Sequence, residues 1–221
     1  MTRVRAAGGG GRVVEVEPDR ITGWVNRFAA RNDGLASVTA ALSGVLITGG
    51  SGTTAHLAVP FPPMDPAGAE PVEAVLRHTA HLGPMAVVLV RAAAFSIGVA
   101  EHGAVLASST GTRYVQSRTA AGGWSQQRYA RRRGNQLRDS HRAAADAAAR
   151  VLTPAASTLC AVVGGGESGG IAEVLDDPRL AFLTALPRRT FGDIAEPRRA
   201  VLDEVARRAL TVEITVRSAQ I

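Results

Sequence analysis

The sequence predicts an α/β fold, a mixed central β-sheet flanked by helices, and three observations carry the prediction. The second half of the chain alternates strand-like and helix-like patterns, which implies a partly parallel sheet. The first half carries hairpin signals, so part of the pairing is antiparallel and the sheet is mixed. With 221 residues, 46% of them apolar and only 4% aromatic, the chain is long enough for one sizeable core built from Ala, Val and Leu.

Taken in order, residues 1–11 read as a disordered, basic, glycine-rich N-terminus, and 12–221 as a single domain with no internal repeat. Arg12 to Glu17 alternates as a strand. Pro18-Asp19 then starts a helix that runs to about Arg31, with Ile21, Trp24, Val25 and Phe28 at helical spacing and Asn32-Asp33-Gly34 at its end. Strands over 37–48 and 53–60 are joined by the Gly49-Gly50-Ser51-Gly52 turn. A proline-rich linker, 60–71, leads to a helix near 72–81. Strands follow at 85–91, 94–101 and 104–108, with a further one over 113–117. A small-residue loop, 119–125, opens into a long helix from Gln126 to Leu152, whose second half, AAADAAARVL, is a strong helix former. The tail reads strand (158–163), glycine turn (164–170), helix (171–175), strand (181–185), helix (197–208) and strand (210–217).

Composition removes several function classes. The single cysteine, Cys160, excludes an internal disulfide framework and fits a reducing, cytoplasmic compartment. The five histidines have no CxxC or HExxH setting, and His78 and His81 lack a further ligand, so neither a metal nor a cofactor is expected. No apolar segment follows the basic first residues as in a secretory signal. The apolar run from Gly83 to Ala100 is broken by Arg91 and reads as two buried strands, so no membrane partner is expected.

Charge placement is more informative. All 25 basic residues are arginine, and residues 113–142 hold eight of them against one acid, Asp139. The other 17 arginines face 18 acids, so the whole positive excess sits in one segment, which points to a polyanion partner. Within it, TRYVQSRTAAGGWSQQRYARRRGN (112–135) reads strand, flexible loop, basic helix. Ala120 to Gly123 are small, so the backbone can approach another surface closely. Trp124 could stack on a base, or pack onto its own domain. Gln126 and Gln127 are neutral amides that donate and accept hydrogen bonds. Arg128, Arg131, Asn135, Arg138 and Arg142 recur at helical spacing as one polar stripe, with Arg132 and Arg133 beside it. Such a stripe can be a merely solvated face, but the shortage of acids for i,i+4 pairing argues for phosphate contact.

Other motifs are weaker. GGGESG (164–169) formally matches GxGxxG between a strand and a helix, where glycines are commonly structural. Ser125 lies in GWSQQ, which is not a GxSxG elbow, and His141, the nearest histidine, falls about four helical turns further on. Glu15, Glu17 and Glu213 are too few for a metal-dependent nuclease and read as outward-facing strand positions.

The block TRYVQSRTAAGGWSQQRYARRRGNQ resembles the signature of the actinobacterial branch of the Vms-like release factors, the VLRF family. A second block, TLCAVVGGGESGGIAEVLDDPRLAFLTALPRR (158–189), is similar to that family's strand–Gly–helix followed by a DPRL segment. The resemblance implies a fold like the middle domain of eukaryotic class I release factors (ribonuclease H-like). It also implies a peptidyl-tRNA hydrolase that frees nascent peptides on stalled, split large ribosomal subunits, in ribosome-associated quality control. Its partners would be ribosomal RNA and peptidyl-tRNA. Apart from the resemblance, a monomer is expected. Release factors generally use Gly-Gly-Gln, and the Vms-like branch a variant ending in Ser-Gln. Here Gly122-Gly123 precede Trp124-Ser125-Gln126-Gln127, so Ser-Gln points to Gln126 as the catalytic residue, with Gln127 the neighbouring alternative. Arg128, Arg131, Arg132, Arg133, Arg138 and Arg142, with Trp124, would bind RNA. A reading from another class, a non-catalytic RNA- or ribosome-binding module, fits the arginine segment equally.

Overall fold

Eleven strands sort into two separate sheets in the computed structural model, which describes residues 3–8, 10–113 and 124–219, without the side chains of 124–126 and 129. By internal packing the chain divides into two compact units, one made of residues 1–82 with 208–221 and the other of 83–207.

The first unit carries an antiparallel sheet. Its strands are β1 (Arg3–Ala6), β2 (Arg12–Val16), β3 (Leu35–Ala41), β4 (Gly44–Gly49) and β5 (Thr54–Ala58), joined by the sequence-remote β11 (Val212–Arg217). The spatial order is β1-β2-β11-β5-β4-β3, and Ile214 on β11 faces Val14 on one side and Leu57 on the other. Helices α1 (Ile21–Arg31) and α2 (Pro71–Ala80) bury Ile21, Val25, Phe28, Ala74 and Val75 against Val45, Ile47, Leu57 and Ile214. The alternation of Val212, Ile214 and Val216 along β11 places all three in that core.

The second unit holds the mixed sheet: β6 (Met85–Arg91), β7 (Ala94–Glu101), β8 (Ala104–Thr112), β9 (Ala161–Gly166) and β10 (Arg188–Phe191), in the order β10-β9-β6-β7-β8. β10, β9 and β6 run parallel, and β6, β7 and β8 form an antiparallel meander. β6 and β7 are buried along nearly their whole length, as continuous apolar runs in a covered sheet must be. One face packs Val88, Val90, Phe95 and Ile97 under α3 (Trp124–Leu152) and α4 (Ser168–Leu175). On β7, Gly98 leaves room for Leu202 of α5 (Arg199–Arg208), since a Cβ there would lie 2.9 Å from its Cδ2.

The α/β class and the mixed, helix-flanked sheet are present, but the expectation of one central sheet is corrected: the hairpin strands of the first half pair with β11 in a sheet of their own. Four local expectations also change. Residues 3–6, within the segment read as disordered, form an edge strand paired with β2. The strand expected over 37–48 is two strands, turned at Leu42-Ser43 and closed by Gly44 at φ 143°, where a Cβ would strike the Leu57 carbonyl oxygen. Gly164 to Gly166 belong to β9 rather than to a turn. Finally, the strand expected at 181–185 is a 3-10 segment, Pro178–Leu183, begun by Pro178 and by Asp177, whose carboxylate accepts from the Arg179 backbone N–H. Leu180 and Leu183, three residues apart, are both buried, which is the periodicity of that helix and not of a strand.

Candidate functional site

α3 is two different helices in chemistry. From Ser140 onward it is rooted in the second unit. Ser140 Oγ donates to the Ala92 carbonyl at 3.0 Å, and Ala144, Ala145, Ala147, Ala148 and Leu152 are buried against the sheet. His141 is buried beside them, its Nδ1–H donating to Glu173 Oε2 of α4 at 2.6 Å. Its Nε2 meets no hydrogen-bond partner among the described residues and sits against Gly170, where a Cβ would come within 3.0 Å. Arg179 reinforces the same region, bonding Asp146 on α3 at 2.7 Å and Asp177 at 2.8 Å. That pairing holds the Asp177 carboxyl down at about 2, chiefly through the guanidinium hydrogen bond and then the Arg179 backbone N–H.

Before Ser140 no described side chain of the helix is fully buried, though Gln136 and Leu137 are half-buried. Gln127, Arg128, Arg131, Arg132, Asn135, Arg138 and Arg142 are all exposed, and Arg133 is half-buried. Arg138 donates to Asn135 Oδ1 at 2.5 Å, one turn back. From Gln127 to Asp139 the rise is about 18 Å, the length of a basic segment whose side chains are mostly exposed. Alanines anchor one end in a core, while most of the arginines at the other end face solvent.

Of the residues singled out in the sequence, Gly122 and Gly123 lie outside the described residues. Trp124, Ser125 and Gln126 open α3, with only their backbone described. The first-turn N–H groups have no intrahelical acceptor, so the amide-bearing segment sits at the positive end of the helix dipole. The 113–117 strand and the 119–125 loop fall mostly outside the described residues; β8 itself ends at Thr112.

The competing motifs resolve on geometry. At Gly165 a Cβ would lie 2.6 Å from Leu89, and at Gly166, φ 104°, it would lie 2.2 Å from the Val90 carbonyl oxygen. The Glu167 N–H is already bonded to Val90 at 2.9 Å, so these glycines serve close packing of β9 on β6. His141 is about 24 Å along the helix from Ser125 and is engaged by Glu173, so the two do not form a hydrolase dyad. Glu15 corrects its expectation: it is buried, and both its oxygens bond Arg208, each at 2.6 Å. An arginine 193 positions away gave no local signal for that burial. The His141–Glu173 and Ser140–Ala92 anchors were likewise unread, because each joins elements remote in sequence. Among the described residues no three His, Cys, Asp or Glu side chains converge on a metal site, and no helix is long and apolar enough to cross a membrane.

Comparison with known proteins bears on the same segment. No curated protein matches the chain. Among solved structures, an archaeal translation termination factor, aRF1, aligns at 12% identity with a TM-score of 0.37, covering 88% of this chain. The chain spans 66% of the length of that factor. The family model described as the actinobacteria/chloroflexi VLRF1 release factor matches residues 83–215, which take in the mixed sheet, α3 and the following elements through most of β11. That match spans more than half of the sequence, and the chain belongs to the actinobacteria/chloroflexi VLRF1 release-factor family, whose role lies in translation.

Proposed function

We propose that the protein is a peptidyl-tRNA hydrolase that releases nascent peptides from tRNA on stalled, split large ribosomal subunits. The observation that carries this reading is the division of α3: a buried alanine half fixed by Ser140 and His141, and an exposed arginine half that begins at the Ser-Gln pair. Arginines docked on RNA phosphates would hold the first turn of the helix in a defined place. Gln126 would orient one water toward the ester carbonyl that joins the peptide to the tRNA 3′ oxygen. Water adds to that carbonyl, the tRNA hydroxyl leaves, and the peptide departs with a free carboxylate. A neutral amide suffices because the aminoacyl ester is already activated; the need is for position and for exclusion of other water.

The test is peptide release from peptidyl-tRNA on isolated large subunits, read as freed peptide. Release that depends on the protein supports the reading. Association with the subunit without any release would instead make α3 an anchor and the protein a non-catalytic binding module.

A further inference from the structure

The first unit carries an open cleft of about 530 Å³, outside the family match and unused by the hydrolytic reading. One wall is a single face of α1, with Trp24, Arg27, Phe28 and Arg31 at spacings of three and four. Arg12 of β2 also lines it. The Trp24 indole lies nearly parallel to the Phe28 ring, 15° between planes with centroids 5.5 Å apart. Phe28 is buried, whereas Trp24 is only partly so and lines the cleft. The helix end beneath is fixed by Asn32, whose Nδ2 donates to the Phe28 carbonyl at 2.7 Å and whose Oδ1 accepts from Ser51 at 3.1 Å.

Charge names the ligand. No carboxylate lines the cleft, and among the described residues none of the exposed guanidiniums of Arg12, Arg27 and Arg31 is paired with one. A second hollow of about 610 Å³ shares Gly11 and Ser218 with the first and adds the exposed Arg217, so the basic surface continues as a track. The volume lies within the ~300–1,000 Å³ typical of ligand sites. Arginines along a track would suit any anion, but a half-buried indole on the same helix face, backed by a buried ring, suits a flat base. We propose that this cleft binds a single-stranded polynucleotide, one base stacked on Trp24 and the flanking phosphates held by Arg12, Arg27 and Arg31. It is independent of the chemistry at α3.

The chain has two tryptophans, so Trp124→Phe leaves Trp24 as the sole indole reporter and makes ligand held at α3 silent. In that background, single-stranded oligoadenylate at low salt is expected to quench the fluorescence saturably. Reversing Arg27→Glu with Arg31→Glu should raise the apparent Kd at least about tenfold. The milder Arg27→Ala with Arg31→Ala should shift it the same way if circular dichroism shows the reversal to disturb α1. An abasic ribose-phosphate oligomer of equal length should bind about tenfold more weakly, the deficit expected when one base stack is missing. No quenching at low salt, quenching indifferent to the folded arginine variants, or equal binding of the abasic oligomer, polyglutamate or inorganic phosphate would each overturn the proposal.

Discussion

On the hydrolytic reading, Gln126→Ala removes the water-orienting amide but leaves the arginines, so subunit binding should persist while the rate of peptide release falls on the order of a hundredfold. Gln127→Ala should change release far less, because successive helix positions point about 100° apart and only one can face the ester. Release assays on the two variants check this, and a loss confined to Gln127→Ala would move the role one residue along. Asp177 makes a prediction in pH. Its carboxyl titrates at about 2 in the folded protein, below its unfolded value, because the Arg179 hydrogen bonds favour the charged form. The stabilisation it lends is therefore complete above the unfolded value of about 4 and lost as pH falls through 2. Asp177→Asn should lower Tm at neutral pH and flatten its decline between those limits, as thermal melts across the range would record.

At the scale of elements, the exposed half of α3 is an electrostatic device whose measure is salt. Replacing Arg128, Arg131 and Arg132 together with Ala should weaken association with large subunits. The slope of log K against log salt should shrink by about one for each phosphate no longer neutralised. Those side chains bury nothing, so Tm should stay within a degree or two; filter binding across a salt series beside a melt tests both. Most elements were legible because their signals are local. The β6 and β7 runs, bounded by Arg91 and Glu101, and the long alanine helix follow from short-range pattern alone. In β8 the pattern misled because tertiary contacts intervened. The strand expected to stop at Ser108 continues as β8 to Thr112, because Thr110 bonds Ser96 at 2.7 Å and Gly111 leaves space for the Phe95 ring. Trp24 fell in register with the core residues of α1, and only the structure shows that it stops half-way out, over Phe28.

At the scale of the molecule, the Glu15–Arg208 pair closes the first unit across most of the chain's length. Removing one partner strands a buried charge, so Glu15→Ala should destabilise by about 3–5 kcal/mol, while Glu15→Met with Arg208→Met should recover most of the loss. Urea denaturation of the two variants gives the comparison. The allocation of strands to two sheets was the least legible feature, because hydrophobic period tells a strand which face is buried but not which neighbour it will find. That allocation sets an order of events at birth. β11 is synthesised after every other strand of its sheet, yet it lies inside that sheet, between β2 and β5. Until it emerges, the β1–β2 hairpin and the β3–β4–β5 meander share no strand, whereas the mixed sheet is complete once β10 has left the exit tunnel. A growing chain can thus finish the mixed sheet while the two parts of the antiparallel sheet still wait for each other, and a nascent copy would display the arginine helix before the Trp24 cleft has acquired its β11 wall.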